Sequence, residues 1–232
     1  MKASQLLELY KQEASKIPQI ESVFSNSGLA NTYGILDFGF FPLGSGVFKE
    51  GGSKIDEAEI RNCEIMVLGN DFGTQKYIDE HCPGNKEKLS NPTIRNLLNG
   101  LELDKETTFF TNLFLGLRMD GTNIKRAVPI QEEYKRFCFA FFKKQLDFFD
   151  PKIVLCLGKD VGYTLSEHIV FDAFKKSISS LYASETNKEY IVNTENDFFG
   201  QRKFVLIPHP SFAHINWNRD DIKNKIKRAL VI

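Results

Sequence analysis

The stretch PKIVLCLGKDVGYTL, residues 151–165, carries three structural signals in one short span. Pro151 ends whatever helix precedes it, because proline has no N–H to donate and its ring collides with the preceding turn. Lys152–Leu157 is apolar and rich in branched side chains, as a strand buried on both faces should be. Gly158 and Lys159 then open a helix, predicted to run to about Ile169. A helix, a strand and a second helix joined this closely predict a parallel sheet covered by helices.

The same alternation extends in both directions. Upstream, Glu64–Leu68 reads as a short apolar strand and Thr107–Phe114 as a second, dense in Thr, Phe and Leu. Between them Asn91–Leu101 is predicted helical, with Pro92 in its first turn, where a missing N–H costs nothing. Ile130–Phe149 carries a long helical stripe of Tyr134, Phe137, Cys138, Phe141, Phe142 and Leu146. Downstream, Tyr190–Val192 and Phe204–Ile207 read as strands and Asp220–Val231 as a basic closing helix. At the start, Ser4–Ile17 has a helical stripe closed by Pro18, and TYGILDFGFFPLGSGVFKEGG (32–52) reads as extended pieces and turns. The expected fold is a three-layer α/β/α domain around a central, mostly parallel sheet. It is expected to occupy residues 1–232 as one domain, with 1–60 an N-terminal extension of no assigned role.

Composition narrows the function classes. Lys+Arg and Asp+Glu are 30 each, so the formal net charge is zero and any nucleic-acid contact must come from a local patch. The cysteines, at 63, 82, 138 and 156, show no C-x-x-C spacing and signal neither zinc nor a cluster. Cys63 and Cys156 fall in or beside apolar runs and read as reduced core thiols. No apolar run is long enough to span a bilayer, and Met1–Tyr10 is polar and periodic, unlike a signal peptide. The expectation is a soluble, cytoplasmic monomer with no membrane partner, no cofactor and no metal.

Parallel sheets place their sites beyond the carboxyl ends of their strands. Three such ends carry unusual polar residues: Asn70-Asp71, Asn112, and His209-Pro210-Ser211. Taken singly, each has an ordinary explanation as a turn residue, a cap or a hydrogen-bonded loop histidine. Taken together, they bring one carboxylate, one amide and one imidazole to the same edge, enough to surround a small ring.

Four segments resemble the uracil-DNA glycosylase superfamily. GNDFG (69–73) is similar to its first motif, which occurs as G-Q-D-P-Y, G-E-A-P-G or G-[IM]-N-P-G in different branches. TNLFLGLR (111–118) resembles the T-N-V-V-K-C-R segment of the iron–sulfur branch, and PKIVLCLGKDVGYTL its P-K-V-I-V-A-L-G-x-x-A segment. PHPS (208–211) resembles the H-P-S motif. The resemblance runs from about residue 62 to the end. It implies a DNA glycosylase of base excision repair whose partner is DNA containing uracil or a related base lesion, flipped out of the stack. It places Asp71 as the catalytic carboxylate that orients the attacking water and His209 as the catalytic donor to the base oxygen. Asn112 is placed as the reader of the pyrimidine edge, and Ser211 as a phosphate contact. Gly69, Asn70, Phe72 and Gly73 fall in the first motif around the substrate, and Phe72 or Tyr77 is the candidate aromatic to stack on the base.

Lys159 at a helix start, Arg118 and Lys125 are further candidate DNA contacts. Phe212, Ile215 and Trp217 are candidates for the wedge that fills the vacated stack, with Phe212 favoured and ordinary packing expected of Ile215. Two departures from the family pattern matter. Phe72 stands where the motif has proline, and Gly116 stands where the iron–sulfur branch has a cysteine, so no iron–sulfur cluster is expected. Competing functions are a nucleic-acid-binding protein of this fold without catalysis, and an α/β enzyme acting on a free nucleoside or nucleotide.

Overall fold

The computed structural model describes residues 2–14, 39–48, 59–73, 91–116, 132–210 and 217–231. Its elements are α1 (Ala3–Ala14), β1 (Ile65–Gly69), α2 (Asn91–Leu101), β2 (Thr108–Asn112), α3 (Glu132–Phe149), β3 (Ile153–Leu157), α4 (Gly158–Leu165), a 3-10 segment (Ile169–Lys175), α5 (Ile178–Leu181), β4 (Ile191–Asn196), β5 (Gly200–Ile207) and α6 (Asp220–Leu230). The strands form one five-stranded sheet in the order β2-β1-β3-β5-β4. Every pairing is parallel except β4 with β5, which is antiparallel. This is the expected α/β architecture, with an antiparallel strand at one edge.

Successive strand residues point to opposite faces, and the register sorts them into two layers. Phe109, Met66, Val154 and Phe204 share one face. There Phe109 meets Phe149 of α3, with ring centroids 4.3 Å apart, and Phe204 meets Phe171 of the 3-10 segment at 4.9 Å. On the opposite face Lys203 donates to the Ala229 and Val231 carbonyls at the end of α6, both at 3.0 Å. Helices thus cover both faces of the sheet. β2 and β3 are buried throughout and β1 is buried but for Ile65, which explains why the three read as apolar runs rather than alternating ones.

The sequence misplaces some boundaries. β4 and β5 extend well past the expected 190–192 and 204–207, because they form a hairpin whose turn is built by Asn196: its Oδ1 accepts the N–H groups of Phe198 (3.0 Å) and Phe199 (2.8 Å). Outward-facing Asn193 and Glu195 hide this strand from a search for apolar runs. The helix after β3 stops at Leu165, well short of Ile169. There the Ser166 hydroxyl turns back to the Tyr163 carbonyl at 2.6 Å, and the chain restarts as a 3-10 turn. The end of the first helix expected at 4–17 lies outside the described residues beyond Ala14.

The N-terminal residues pack into the same buried cluster as the sheet. Leu6, Leu7, Tyr10, Phe40, Phe41, Val47 and Phe48 all belong to it. Tyr10 donates its hydroxyl to the Leu115 carbonyl at 3.1 Å, and its ring lies 6.0 Å from Phe41 and 5.4 Å from Phe141. Residues 39–48 dock beside β2: Phe41 N–H donates to Phe110 O (2.9 Å) and Phe110 N–H to Gly46 O (2.7 Å). Gly46, at φ +78°, leaves no room for a side chain, since a Cβ there would overlap the Phe109 ring. Each fully buried apolar side chain contributes roughly 1.5–3 kcal/mol, and Leu6 and Phe41, both fully buried, each add that much to the docking of these segments.

Candidate active site

Because β1, β2, β3 and β5 run the same way, their carboxyl ends lie at one edge of the sheet. Gly69, Asn112, Leu157 and Ile207 end the strands there, with Gly69 opposite Asn112 and Leu157 opposite Ile207. The segments that leave this edge carry Asn70 and Asp71, Gly158 and Lys159 at the start of α4, and His209. Sequence reasoning placed these side chains at strand ends, and the sheet gathers them on a single rim.

Asn112 lies over Gly69. A Cβ at Gly69 would overlap Asn112 Oδ1 and sit 3.2 Å from its Cγ and 3.3 Å from Phe40 Cε1. Glycine is therefore required by close approach. Asn112 is only 5 % exposed, yet among the described residues its amide makes no hydrogen bond. A buried amide with its donor and acceptor both unspent suits a ligand edge that offers the complementary pair. The loops are stitched together behind it: Leu113 N–H donates to Gly69 O and Phe114 N–H to Asn70 O, both at 2.8 Å.

Asp71 sits in a tight local turn. Its Oδ1 accepts the Gly73 N–H at 2.8 Å, and its Oδ2 accepts Asn70 Nδ2 at 2.8 Å. Gly73 adopts φ +83°, a conformation that favours glycine. Since a carboxylate can only accept, the contact fixes the orientation of the Asn70 amide and leaves its Oδ1 buried with no partner among the described residues. An unsatisfied buried acceptor costs about 1–3 kcal/mol, so the rim holds a second polar atom ready for water or ligand. Phe72 is partly buried and packs against the core.

His209 is half-buried two residues beyond β5, between the buried Pro208 and Pro210. Gly158, at φ +80°, faces it, and a Cβ at Gly158 would lie 3.3 Å from His209 Cβ. Burial lowers the His209 pKa, and the carboxylate of Asp160 in the first turn of α4 opposes that shift. The imidazole is thereby biased to its neutral form, with one nitrogen a donor and the other an acceptor. Sequence reasoning missed Asp160. Its place three residues after the end of β3 put it near the rim, and only folding shows that its charge acts on His209. Lys159, beside it, is half-buried at the start of α4, with no ion pair among the described residues.

Trp217 is not available as a wedge. It is 4 % exposed and packs on Gly100 of α2, where a Cβ would come 2.8 Å from Trp217 Cζ2. It anchors the chain as it enters α6. The basic residues of α6 are also engaged. Lys225 is buried and donates to the Tyr182 (3.0 Å) and Ser184 (3.2 Å) carbonyls, while Lys227 pairs with Glu102 and Arg228 with Glu185. Tyr77, Arg118, Lys125, Ser211, Phe212 and Ile215 lie outside the described residues.

Cys63, Cys138 and Cys156 are buried free thiols. Burial pushes the first two up to about 12 and Cys156 higher still. Among the described residues no three of His, Cys, Asp and Glu converge as metal ligands would, and Gly116 offers no side chain. Among the described residues, this donor set does not fit an iron–sulfur cluster. Among the described residues, no helix is long and apolar enough to cross a membrane.

A mostly parallel sheet with a carboxylate, an amide and a neutral-biased imidazole gathered on its carboxyl rim defines an α/β protein with a polar candidate site at that edge. The family model described as the uracil DNA glycosylase superfamily matches residues 55–231, and the chain belongs to that superfamily. Membership points to a DNA-glycosylase type of function in general. A search of curated proteins returned no match.

Proposed function

We propose that this chain is a DNA glycosylase that hydrolyses the N-glycosidic bond of uracil, or of a related damaged or mismatched base, after the base has left the stack. The observation that carries this reading is the Asn112 amide, buried against Gly69 and unpaired among the described residues. Such an amide can donate to O4 and accept from N3–H of uracil at once, whereas cytosine presents the reverse pattern.

The other rim residues supply the chemistry that this pairing needs. Breaking the bond at C1′ leaves cationic character on the sugar and negative charge on the base. A carboxylate at Asp71 stabilises the first, holds the water that attacks C1′, and receives its proton. A neutral His209 donates a hydrogen bond to the departing base oxygen, which leaves as an anion and is later protonated by solvent. Among the described residues, Asp71 accepts the Gly73 N–H and the Asn70 amide, which hold its carboxylate at the rim. Base flipping into a site on this rim, with Lys159 and the candidate cations Arg118 and Lys125 on phosphates, completes the proposal.

The turn at Asp71 also favours a second reading, a DNA-binding protein that no longer hydrolyses, because local hydrogen bonds alone explain a carboxylate there. One experiment separates the two. Single-stranded and duplex oligonucleotides carrying one uracil are incubated with the protein and then cleaved by alkali at abasic sites. Uracil-dependent strand cleavage is expected. Tight, salt-sensitive binding without cleavage would favour the second reading.

A further inference from the structure

Residues 39–48 precede the region matched by the family model, yet every one of them is buried and they reach the rim of the sheet. The backbone bonds of Phe41 and Gly46 to Phe110 fix the segment beside β2. In that position Phe40 falls on the sheet face shared by Phe110, Gly69 and Asn112. Its ring meets Phe110 edge-on, with centroids 5.5 Å apart and planes at 68°. At its other end Cε1 approaches the same point above Gly69 that Asn112 Oδ1 occupies. An aromatic ring therefore stands directly beside the unpaired amide. Phe72 packs into the core instead.

We propose, on the basis of the glycosylase reading above, that Phe40 is the aromatic wall of the base pocket, the ring against which a pyrimidine read by Asn112 rests. A planar base whose edge pairs with the amide must lie close to whatever flanks that amide, and Phe40 flanks it. The apolar ring also keeps water from one side of the amide, so its donor and acceptor stay open for the base. Base–aromatic stacking contributes enough to be read in a binding experiment. The N-terminal segment is then part of the substrate site as well as of the core.

The test uses the full chain and free uracil, followed by NMR through the H5 and H6 protons of the base. Wild type, Asn112→Ala, Phe40→Leu and Phe40→Tyr are compared, with melting temperature as the folding control. Stacking predicts upfield shifts of H5 and H6 on binding and contacts from both protons to the Phe40 ring in the unmutated protein. Phe40→Tyr is expected to keep affinity and shift. Phe40→Leu is expected to weaken binding about tenfold or more and to lose the upfield shift. The same variants are assayed for uracil release from an oligonucleotide, where Phe40→Leu is expected to lower kcat/KM by a similar factor. A folded Phe40→Leu protein with wild-type affinity, shift and kcat/KM would overturn the role of Phe40 and leave the glycosylase reading standing. So would wild-type contacts from bound uracil to Phe72 in place of Phe40, should the variant not fold. A wild-type protein that neither binds uracil nor releases it from DNA would overturn both.

Discussion

Gly69 and Asn112 are register partners across β1 and β2, and the side chain of one fills the space that the other lacks. A coupling in stability follows. Gly69→Ala drives a methyl into the Asn112 amide and is expected to destabilise by about 1–3 kcal/mol, as overpacking does. Adding Asn112→Ala removes the obstacle, so the double variant is expected to be more stable than the sum of the two single changes predicts. Denaturant melts of the four proteins measure this. Additive changes would mean that the two side chains do not meet.

Asp71→Asn is expected to leave the fold intact and to slow uracil release by ~10²–10³, the usual effect of removing one positioned electrostatic group. The asparagine oxygen can still accept the Gly73 N–H, so the turn survives, whereas its amide cannot accept from Asn70. Single-turnover rates alongside DNA affinity check this. Equal rates in the two proteins would reduce Asp71 to a turn residue.

His209 titrates below its ordinary value when folded, chiefly through burial. The unfolded chain therefore takes up its proton first as pH falls. The contribution of His209 to stability is complete above the unfolded pKa of about 6.5 and is lost as pH falls from there to the lowered folded value. His168, also lowered by burial, adds a slope of the same sign. His209→Asn is expected to flatten part of the decline and leave the His168 share. Melting temperatures at several pH values between neutral and acid check this, with unchanged slopes as the contrary result.

On the proposed glycosylase reading, Gly73 stands where the resembled G-Q-D-P-Y motif carries a tyrosine, so no side chain there guards C5 of a pyrimidine, and its φ of +83° would strain any larger residue. Uracils carrying a substituent at C5, such as 5-hydroxymethyluracil, are therefore expected to be released alongside uracil, because one extra small group in an unguarded pocket changes binding by only about 1–3 kcal/mol. Competition between the two bases in the same mismatch checks this. Strict rejection of every C5 substituent, unrelieved by Phe72→Ala or Tyr77→Ala, would refute it.

Much of this site was legible because parallel strands impose it. Once β1, β2, β3 and β5 were read as parallel, Asp71, Asn112 and His209 had to share a rim, since each lies just beyond or at a strand end. Phe40 was not legible. Its segment reads as glycine-rich turns, and its place depends on two long-range hydrogen bonds to Phe110 that no local pattern encodes. Trp217 misled for the opposite reason: its closeness in sequence to the H-P-S motif suggested the DNA side, while the absent side chain of Gly100, far away in the chain, draws it into the core. The β4–β5 hairpin is only partly legible because its outward residues, Asn193 and Glu195 among them, are polar and break the apolar run.

The docking of residues 39–48 has a consequence for how the chain avoids sticking to itself. β2 is the last strand on its side of the sheet, and TFFTN has neither charge nor proline to deter another strand. Uncovered, it would be a template for intermolecular pairing. Phe41 and Gly46 occupy the N–H and C=O of Phe110, and the Thr111 hydroxyl is turned to the Phe41 carbonyl at 3.3 Å. The opposite edge, β4, presents exposed Asn193 and Glu195 instead. One edge is thus guarded by polar side chains and the other by a piece of the same chain. A chain whose first forty-odd residues are clipped or not yet docked would expose an aromatic strand edge, and self-association would compete with folding.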